Sequence, residues 1–171
     1  MRISSAALSA VLLLLAAPAA ADTGHVGMVG GAMSIDEGNT TQWRPYGRTE
    51  IGIRLWGPFE LGGHLQIGTL GFPAELASYG GGVFLQLRPD VAFFGLVPHA
   101  EVGGTRVTLP TSSGRYDAWE VHAGGGLGYE LGIGFVIEAR VKHHWYFDLP
   151  AESQVGMDGW TLSGGLTYRL P

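Results

Sequence analysis

The stretch Gly132-Ile133-Gly134-Phe135-Val136-Ile137-Glu138-Ala139-Arg140-Val141-Lys142-His143-His144-Trp145-Tyr146-Phe147-Asp148 decides the fold. Ile133, Phe135, Ile137, Ala139, Val141 and Trp145 share one parity, and that set is apolar apart from His143. Glu138, Arg140, Lys142 and His144 share the other. Successive side chains of a strand point to opposite faces, so the stretch reads as one long strand with an apolar and a charged side. A helix would mix the two sets, because positions three and four apart lie together.

The same alternation recurs along the chain. In the final segment Trp160, Leu162, Leu166, Tyr168 and Leu170 oppose Thr161, Ser163, Thr167 and Arg169. In Tyr116 to Leu131, Trp119, Val121, Ala123, Leu127 and Tyr129 oppose Glu120, His122 and Glu130. Arg48 to Trp56 sets Thr49, Ile51, Ile53 and Leu55 against Arg48, Glu50 and Arg54. Phe59 to Leu70 sets Leu61, Leu65 and Ile67 against Glu60, His64 and Gln66. Ala77 to Arg88 alternates too, with Phe84 on the polar side beside Gln86 and Arg88. Val91 to Gly103 places Phe94, Leu96, Ala100 and Val102 against His99 and Glu101. Pro98 interrupts that segment, and a proline removes a ladder donor, so a bulge or local break is expected there. His25 to Met33 completes the set, but its glycines hide its faces. The reading is eight strands.

Tight turns are expected at Trp56-Gly57-Pro58-Phe59, Arg88-Pro89-Asp90-Val91 and Glu130-Leu131-Gly132-Ile133. Longer connections are expected at Ser34–Pro45, Gly71–Leu76, Gly104–Arg115 and Asp148–Asp158, so long and short alternate. Ahead of the strands, Arg2, an apolar run to Leu15 and the small-residue end Ala19-Ala20-Ala21 have the parts of a secretory signal peptide. Cleavage of residues 1–21 would leave a single domain, Asp22–Pro171. Cysteine is absent, which excludes disulfides and thiolate chemistry. The 29 glycines, many inside strand-like runs such as Gly80-Gly81-Gly82, read as sites of sharp curvature in a narrow barrel. None opens a helix after a strand, so phosphate cradling has no support.

Two features separate a membrane barrel from a soluble one. The charged parity carries Arg48, Arg54, Arg88, Arg140, Lys142 and Arg169 against Glu50, Glu60, Glu101, Glu120, Glu130 and Glu138. Such a balance suits a narrow lumen, where an unpaired charge is costly. The apolar parity places Tyr79, Trp119, Trp145 and Trp160 near the long-loop end and Tyr129 and Tyr168 near the short-turn end. Trp and Tyr favour the bilayer interface, and two aromatic girdles around an aliphatic band are what a transmembrane barrel needs. The fold class read here is all-β, an eight-stranded antiparallel up-and-down transmembrane β-barrel. The runner-up is a soluble ligand-binding barrel.

The leader, the eight amphipathic strands and the runs Gly126-Leu127-Gly128-Tyr129 and Phe135-Val136-Ile137-Glu138-Ala139-Arg140 resemble the small eight-stranded outer-membrane β-barrels of Gram-negative bacteria, the OmpA-like group. That resemblance implies export to the outer membrane, outer-membrane lipid and lipopolysaccharide as surroundings, and the barrel-assembly machinery as a partner. Members of the group usually end in an aromatic residue; Tyr168 holds the earlier aromatic place, whereas Leu170-Pro171 stand at the end. No peptidoglycan-binding domain is expected after the barrel, so cell-wall tethering is not implied. A monomer is expected.

Candidate chemistry is thin. His143 and His144 are adjacent, point to opposite faces and cannot hold one metal together. Some barrels of this kind hydrolyse lipid A with a His-x-Ser pair on the outer wall. Here Trp145 follows His143 and Tyr146 follows His144, so the nucleophile is missing at that spacing. His64, His99 and His122 share the charged parity and read as members of a buried network. No catalytic residue, cofactor or metal is expected. Ends, turns and loops hold nine acidic residues against three basic ones, Arg44, Arg106 and Arg115, which reads as a solvated acidic face and disfavours nucleic acid. The expected role is a small non-catalytic outer-membrane barrel serving envelope integrity or surface interaction through its loops. Alternatives are a narrow pore or conduit for small, even apolar, solutes and, further off, a lipid A hydrolase.

Overall fold

The computed structural model describes residues 24–37, 40–69, 77–89, 94–111, 114–132, 134–148 and 158–170. The leader with its cleavage site, the Gly71–Leu76 connection, Ile133 and Pro171 lie outside these residues. Eight strands run in chain order: β1 (Gly24–Glu37), β2 (Thr40–Trp56), β3 (Phe59–Thr69), β4 (Ala77–Leu87), β5 (Leu96–Thr111), β6 (Gly114–Gly132), β7 (Phe135–Phe147) and β8 (Asp158–Leu170). Each pairs antiparallel with its sequence neighbours, and β1 closes on β8 from Gly24↔Leu170 to Met33↔Thr161. The sheet is a closed barrel with no free edge along the paired wall.

Parity does the rest. In β7 the buried positions are Val136, Glu138, Arg140, Lys142, His144 and Tyr146, with more exposed residues between them. The faces of β1, unassignable from its glycines, are now fixed: His25, Val29 and Met33 point inward while Val26 and Met28 point out. Outward positions form an exposed aliphatic and aromatic wall, and the interior holds Arg, Glu, His and Gln side chains. A soluble barrel would place these sets the other way round.

Several expected boundaries move. The connections placed at Ser34–Pro45 and Gly104–Arg115 are mostly strand: β1 pairs with β2 out to Glu37↔Thr40, and β5 with β6 out to Thr111↔Gly114. Two of the four long loops are therefore hairpin ribbons, and the strict long–short alternation does not hold. β5 starts at Leu96 rather than Val91, after Phe94 and Gly95 with φ of 54° and 80°. β6 continues to Gly132 past a register shift at Glu130/Gly132, which moves that turn on to Gly134 (φ 84°). The Gly57-Pro58 turn stands where expected, between Trp56 and Phe59.

Pro98 makes no bulge: it stays in register opposite Leu127. The reason is positional. β4 pairs with β5 no further than Leu87↔Ala100, so among the described residues Pro98 has a strand partner on one side only. A missing N–H is tolerated where the strand has an open side for it to face. Pro45 and Pro110 obey the same rule, lying just past Tyr46↔Gly68 and Tyr79↔Thr108, the last pairs with β3 and β4.

The glycines do more than permit curvature. A Cβ on Gly52 would lie 2.4 Å from His25 Cε1, and one on Gly62 2.2 Å from Phe84 Cζ. Inward glycines thus clear room for large inward side chains on neighbouring strands, which an eight-stranded barrel could not otherwise hold.

Candidate functional site

Inward residues of β2, β5 and β7, with Arg88 just past β4, bring the charged side chains together inside the barrel. Arg88 Nη2 donates to Glu138 Oε1 at 2.6 Å, and Arg140 Nε donates to Glu138 Oε2 at 2.7 Å. Arg140 Nη1 reaches Glu50 Oε2 at 2.8 Å, and Arg48 Nε lies 2.9 Å from the same oxygen. Arg48 Nη1 then contacts Glu101 Oε1 at 2.7 Å, where Lys142 Nζ also donates at 2.6 Å. The result is a continuous chain, Arg88–Glu138–Arg140–Glu50–Arg48–Glu101–Lys142, whose members are all buried. Phe84 packs beneath it, with the Arg48 guanidinium 4.9 Å from its ring centre.

The remaining residues of the charged set lie around this chain. Arg54 reaches Glu60 at 3.4 Å near the short-turn end, and His25 Nδ1 lies 2.9 Å from the other Glu60 oxygen. Arg169 does not join the chain; it pairs with Glu130 at 2.6 Å on the partly exposed rim. His25 is a member that the sequence did not offer, because the faces of β1 were hidden.

Towards the long-loop end the interior changes character. Met33, Tyr46, Val107, Leu109, Ala118 and Tyr146 are buried there, whereas the outward neighbours Arg106, Arg115 and Asp117 are exposed. Asp117 accepts from Thr108 Oγ1 at 2.7 Å and from Arg106 at 2.8 Å. The Thr108 hydrogen bond first, then Arg106, hold its carboxyl below the usual range. So the pattern inverts along β5 and β6: apolar outside and charged inside lower down, apolar inside and polar outside at the tip.

Between these zones Glu120, His122 and His144 converge. β6 carries Glu120 and His122 two residues apart on its inner face, and β7 places His144 opposite His122. Glu120 Oε1 lies 2.8 Å from His144 Nδ1 and 3.3 Å from His122 Nδ1. This is the group among the described residues whose donor atoms are placed to hold a metal. The expectation about His143 and His144 stands, since His144 is buried and His143 lies on the outer wall. His64 borders the group, its ring centre 5.4 Å from that of His122 and its Nε2 bonded to Thr105 Oγ1 at 2.9 Å, whereas both His99 ring nitrogens lack hydrogen-bond partners.

On the outer wall His143 sits edge-on between Trp145 and Trp160, with ring centres 4.5 Å from each, and 3.5 Å from Asp158. A cleft of about 270 Å³ opens here, lined by Ser34, Thr41, Trp43, His143, Asp158 and Trp160. Ser34 Oγ accepts the Trp160 N–H at 2.7 Å, and β8 separates it from β7 and His143. Tyr79, Trp119, Trp145, Trp160, Tyr129 and Tyr168 are all exposed on the outer wall. Trp43 and Phe147 at one end, and Trp56 and Phe94 at the other, extend the two aromatic rows.

Comparison with solved structures decides the class. Neisserial surface protein A matches with a TM-score of 0.67 at 12% identity, over 85% of this chain and 96% of that one. The chain has the fold of the small outer-membrane barrels. The N-terminal β-barrel domain of Pseudomonas aeruginosa OprF matches at 0.60 with 15% identity, covering 85% and 97% of the two chains. Ail, the attachment invasion locus protein of Yersinia pestis, matches at 0.58 with 12% identity, covering 86% and 98%. No family model and no curated protein matches the sequence. At these identities the likeness is one of architecture: an eight-stranded, antiparallel, up-and-down transmembrane β-barrel.

Proposed function

We propose that this barrel resides in the outer membrane and serves envelope integrity or surface interaction, without catalysis, through the structures it raises on its long-loop side. The carrying observation is the inversion of polarity along β5 and β6. An apolar outer wall is stable against lipid and a polar one against water, so the switch near Trp119 marks where the barrel leaves the bilayer. From Arg106↔Trp119 to Thr111↔Gly114 the ribbon runs five further residue pairs, roughly 16 Å of ordered hairpin at 3.3 Å per residue. Arg106, Arg115 and Asp117 are displayed on it, with the Arg115 guanidinium 5.1 Å from the Tyr79 ring centre. A stiff, charged ribbon is better suited to recognising a partner than a floppy loop, because less ordering entropy is lost on binding. Attachment, named for Ail, is a role of this kind. Membrane lipid and lipopolysaccharide would surround the wall, with the aromatic rows at the headgroups.

The reading is tested by fractionating cells that make the chain and by treating intact cells with protease. Recovery in the outer membrane, heat-modifiable gel migration and cleavage confined to the long-loop side, at the β1–β2, β3–β4, β5–β6 and β7–β8 connections, are expected. Recovery in the soluble periplasm would overturn it.

Pore formation is the second reading, and the paired chain from Arg88 to Lys142 argues that such a pore is shut. Planar-bilayer recording should give little conductance for the parent barrel, and Glu138→Gln should raise it if the chain is the plug.

A further inference from the structure

We propose that Glu120, His122 and His144 form a binding site for a divalent transition-metal ion, zinc foremost, inside the barrel. One donor atom from each of Glu120, His122 and His144 lies within 4.8 Å of the other two. Zinc bonds of about 2.0–2.2 Å at tetrahedral angles require ligand atoms about 3.3 Å apart. The Glu120–His122 separation is 3.3 Å, and the Glu120–His144 separation of 2.8 Å needs only a small opening.

The surroundings of the three ligands are those of a built site. The far atom of each ligand is held by another residue. His122 Nε2 lies 2.9 Å from Glu101 Oε1, His144 Nε2 2.6 Å from Thr161 Oγ1, and Glu120 Oε2 accepts from Gln66 Nε2 at 2.7 Å. Metal-bound histidines characteristically place their second nitrogen against a carboxylate or an oxygen partner, which fixes ring orientation and tautomer.

His122 supplies the independent observation. The Glu101 carboxylate only accepts, so the proton of a neutral His122 ring sits on Nε2. Nδ1 then carries a lone pair, and that lone pair faces a carboxylate oxygen. Nδ1 has no hydrogen-bond partner, although His122 is fully buried. Two buried acceptors facing each other are costly, and a cation between them, a proton or a metal ion, removes the cost. Two imidazoles and one carboxylate suit zinc and its neighbours in the first transition row rather than calcium or magnesium. Three protein ligands leave a fourth position for water. Tyr46 and Tyr146 are buried nearby, the Tyr46 ring centre 6.5 Å from that of His144, so the ion would be enclosed as the strands close.

The full chain is folded into detergent micelles with zinc sulfate, freed of loose ions by gel filtration and analysed for metal by mass spectrometry. His122→Gln is the site variant, and His99→Gln, an interior histidine outside the cluster, is the control. Heat-modifiable migration confirms that each is folded. About one zinc per barrel is expected for the parent and His99→Gln, falling at least tenfold in His122→Gln. Cobalt in place of zinc should give the visible absorption of a four-coordinate ion, lost in the same variant. If His122→Gln does not fold, Thr161→Val replaces it; loss of the His144 support should weaken zinc retention against a chelator about 10–100-fold. A folded parent that keeps no zinc, or a site variant that keeps as much as the control, would overturn the proposal. So would zinc in the parent with no visible cobalt band.

Discussion

Arg140 is the residue on which the interior depends most, and its loss can be sized from its contacts. Its guanidinium joins Glu50, at 2.8 Å from Nη1, to Glu138, at 2.7 Å from Nε, and it is 3% exposed. Arg140→Gln leaves two buried carboxylates sharing the interior with Arg48 and Arg88 as their remaining cations. Removing one partner of a buried ion pair costs about 3–5 kcal/mol. For a chain of this size that corresponds to a fall in Tm of roughly 6–20 °C, at 2–4 °C per kcal/mol. Arg169→Gln is the internal comparison, because its pair with Glu130 sits on the rim and such pairs contribute about 0–1 kcal/mol. Both variants are followed by the temperature at which the folded, faster-migrating band disappears from a gel. Adding Glu50→Gln to Arg140→Gln should recover part of the loss, since one stranded charge is gone. An Arg140→Gln barrel that melts within about 1 kcal/mol of the parent, or no earlier than Arg169→Gln, would refute the view that this buried chain of charges is tightly coupled.

Two further outcomes follow from local geometry. Gly52→Ala places a methyl 2.4 Å from His25 Cε1 and should cost about 1–3 kcal/mol in denaturant titration, falling towards zero in a His25→Ala background. Asp117 titrates below the ordinary carboxylate range in the folded hairpin. Its contribution is therefore present above the unfolded-state value, about pH 4, and is lost as pH falls through the lower folded value. Protection factors at the β5–β6 tip, corrected for the intrinsic slowing of amide exchange in acid, should fall on acidification, and Asp117→Asn should abolish that fall.

Period-two alternation made β2 to β8 visible because lipid on one side and charge on the other force the strongest contrast a strand can carry. The contrast fails where the environment changes. Val107 and Leu109 face inward and Arg106 and Thr108 outward, so beyond the aromatic row the same strand reads with opposite sense and resembles a loop. Pro45 and Pro110 strengthened that impression, since whether a proline breaks a ladder depends on how many neighbours the strand has. The glycines of β1 carry no side chain to show a face. The metal-like cluster was half legible: Glu120 and His122 share a parity in the sequence alone. His144 joins them only through cross-strand register, which the shift at Glu130/Gly132 sets, and no spacing along the chain reveals that.

The placement of those prolines bears on how the barrel behaves in company. β2 and β5 continue past Tyr46↔Gly68 and Tyr79↔Thr108, their last pairs with β3 and β4 among the described residues, and strand flanks beyond such a last pair are the kind of surface on which another chain can add a strand. Pro45 and Pro110 stand at those flanks, each deleting a donor and fixing φ in the ribbon. A second copy approaching edge to edge would meet an interrupted ladder. Two hairpins reaching into the crowded space above a membrane would thereby be kept from zipping onto one another.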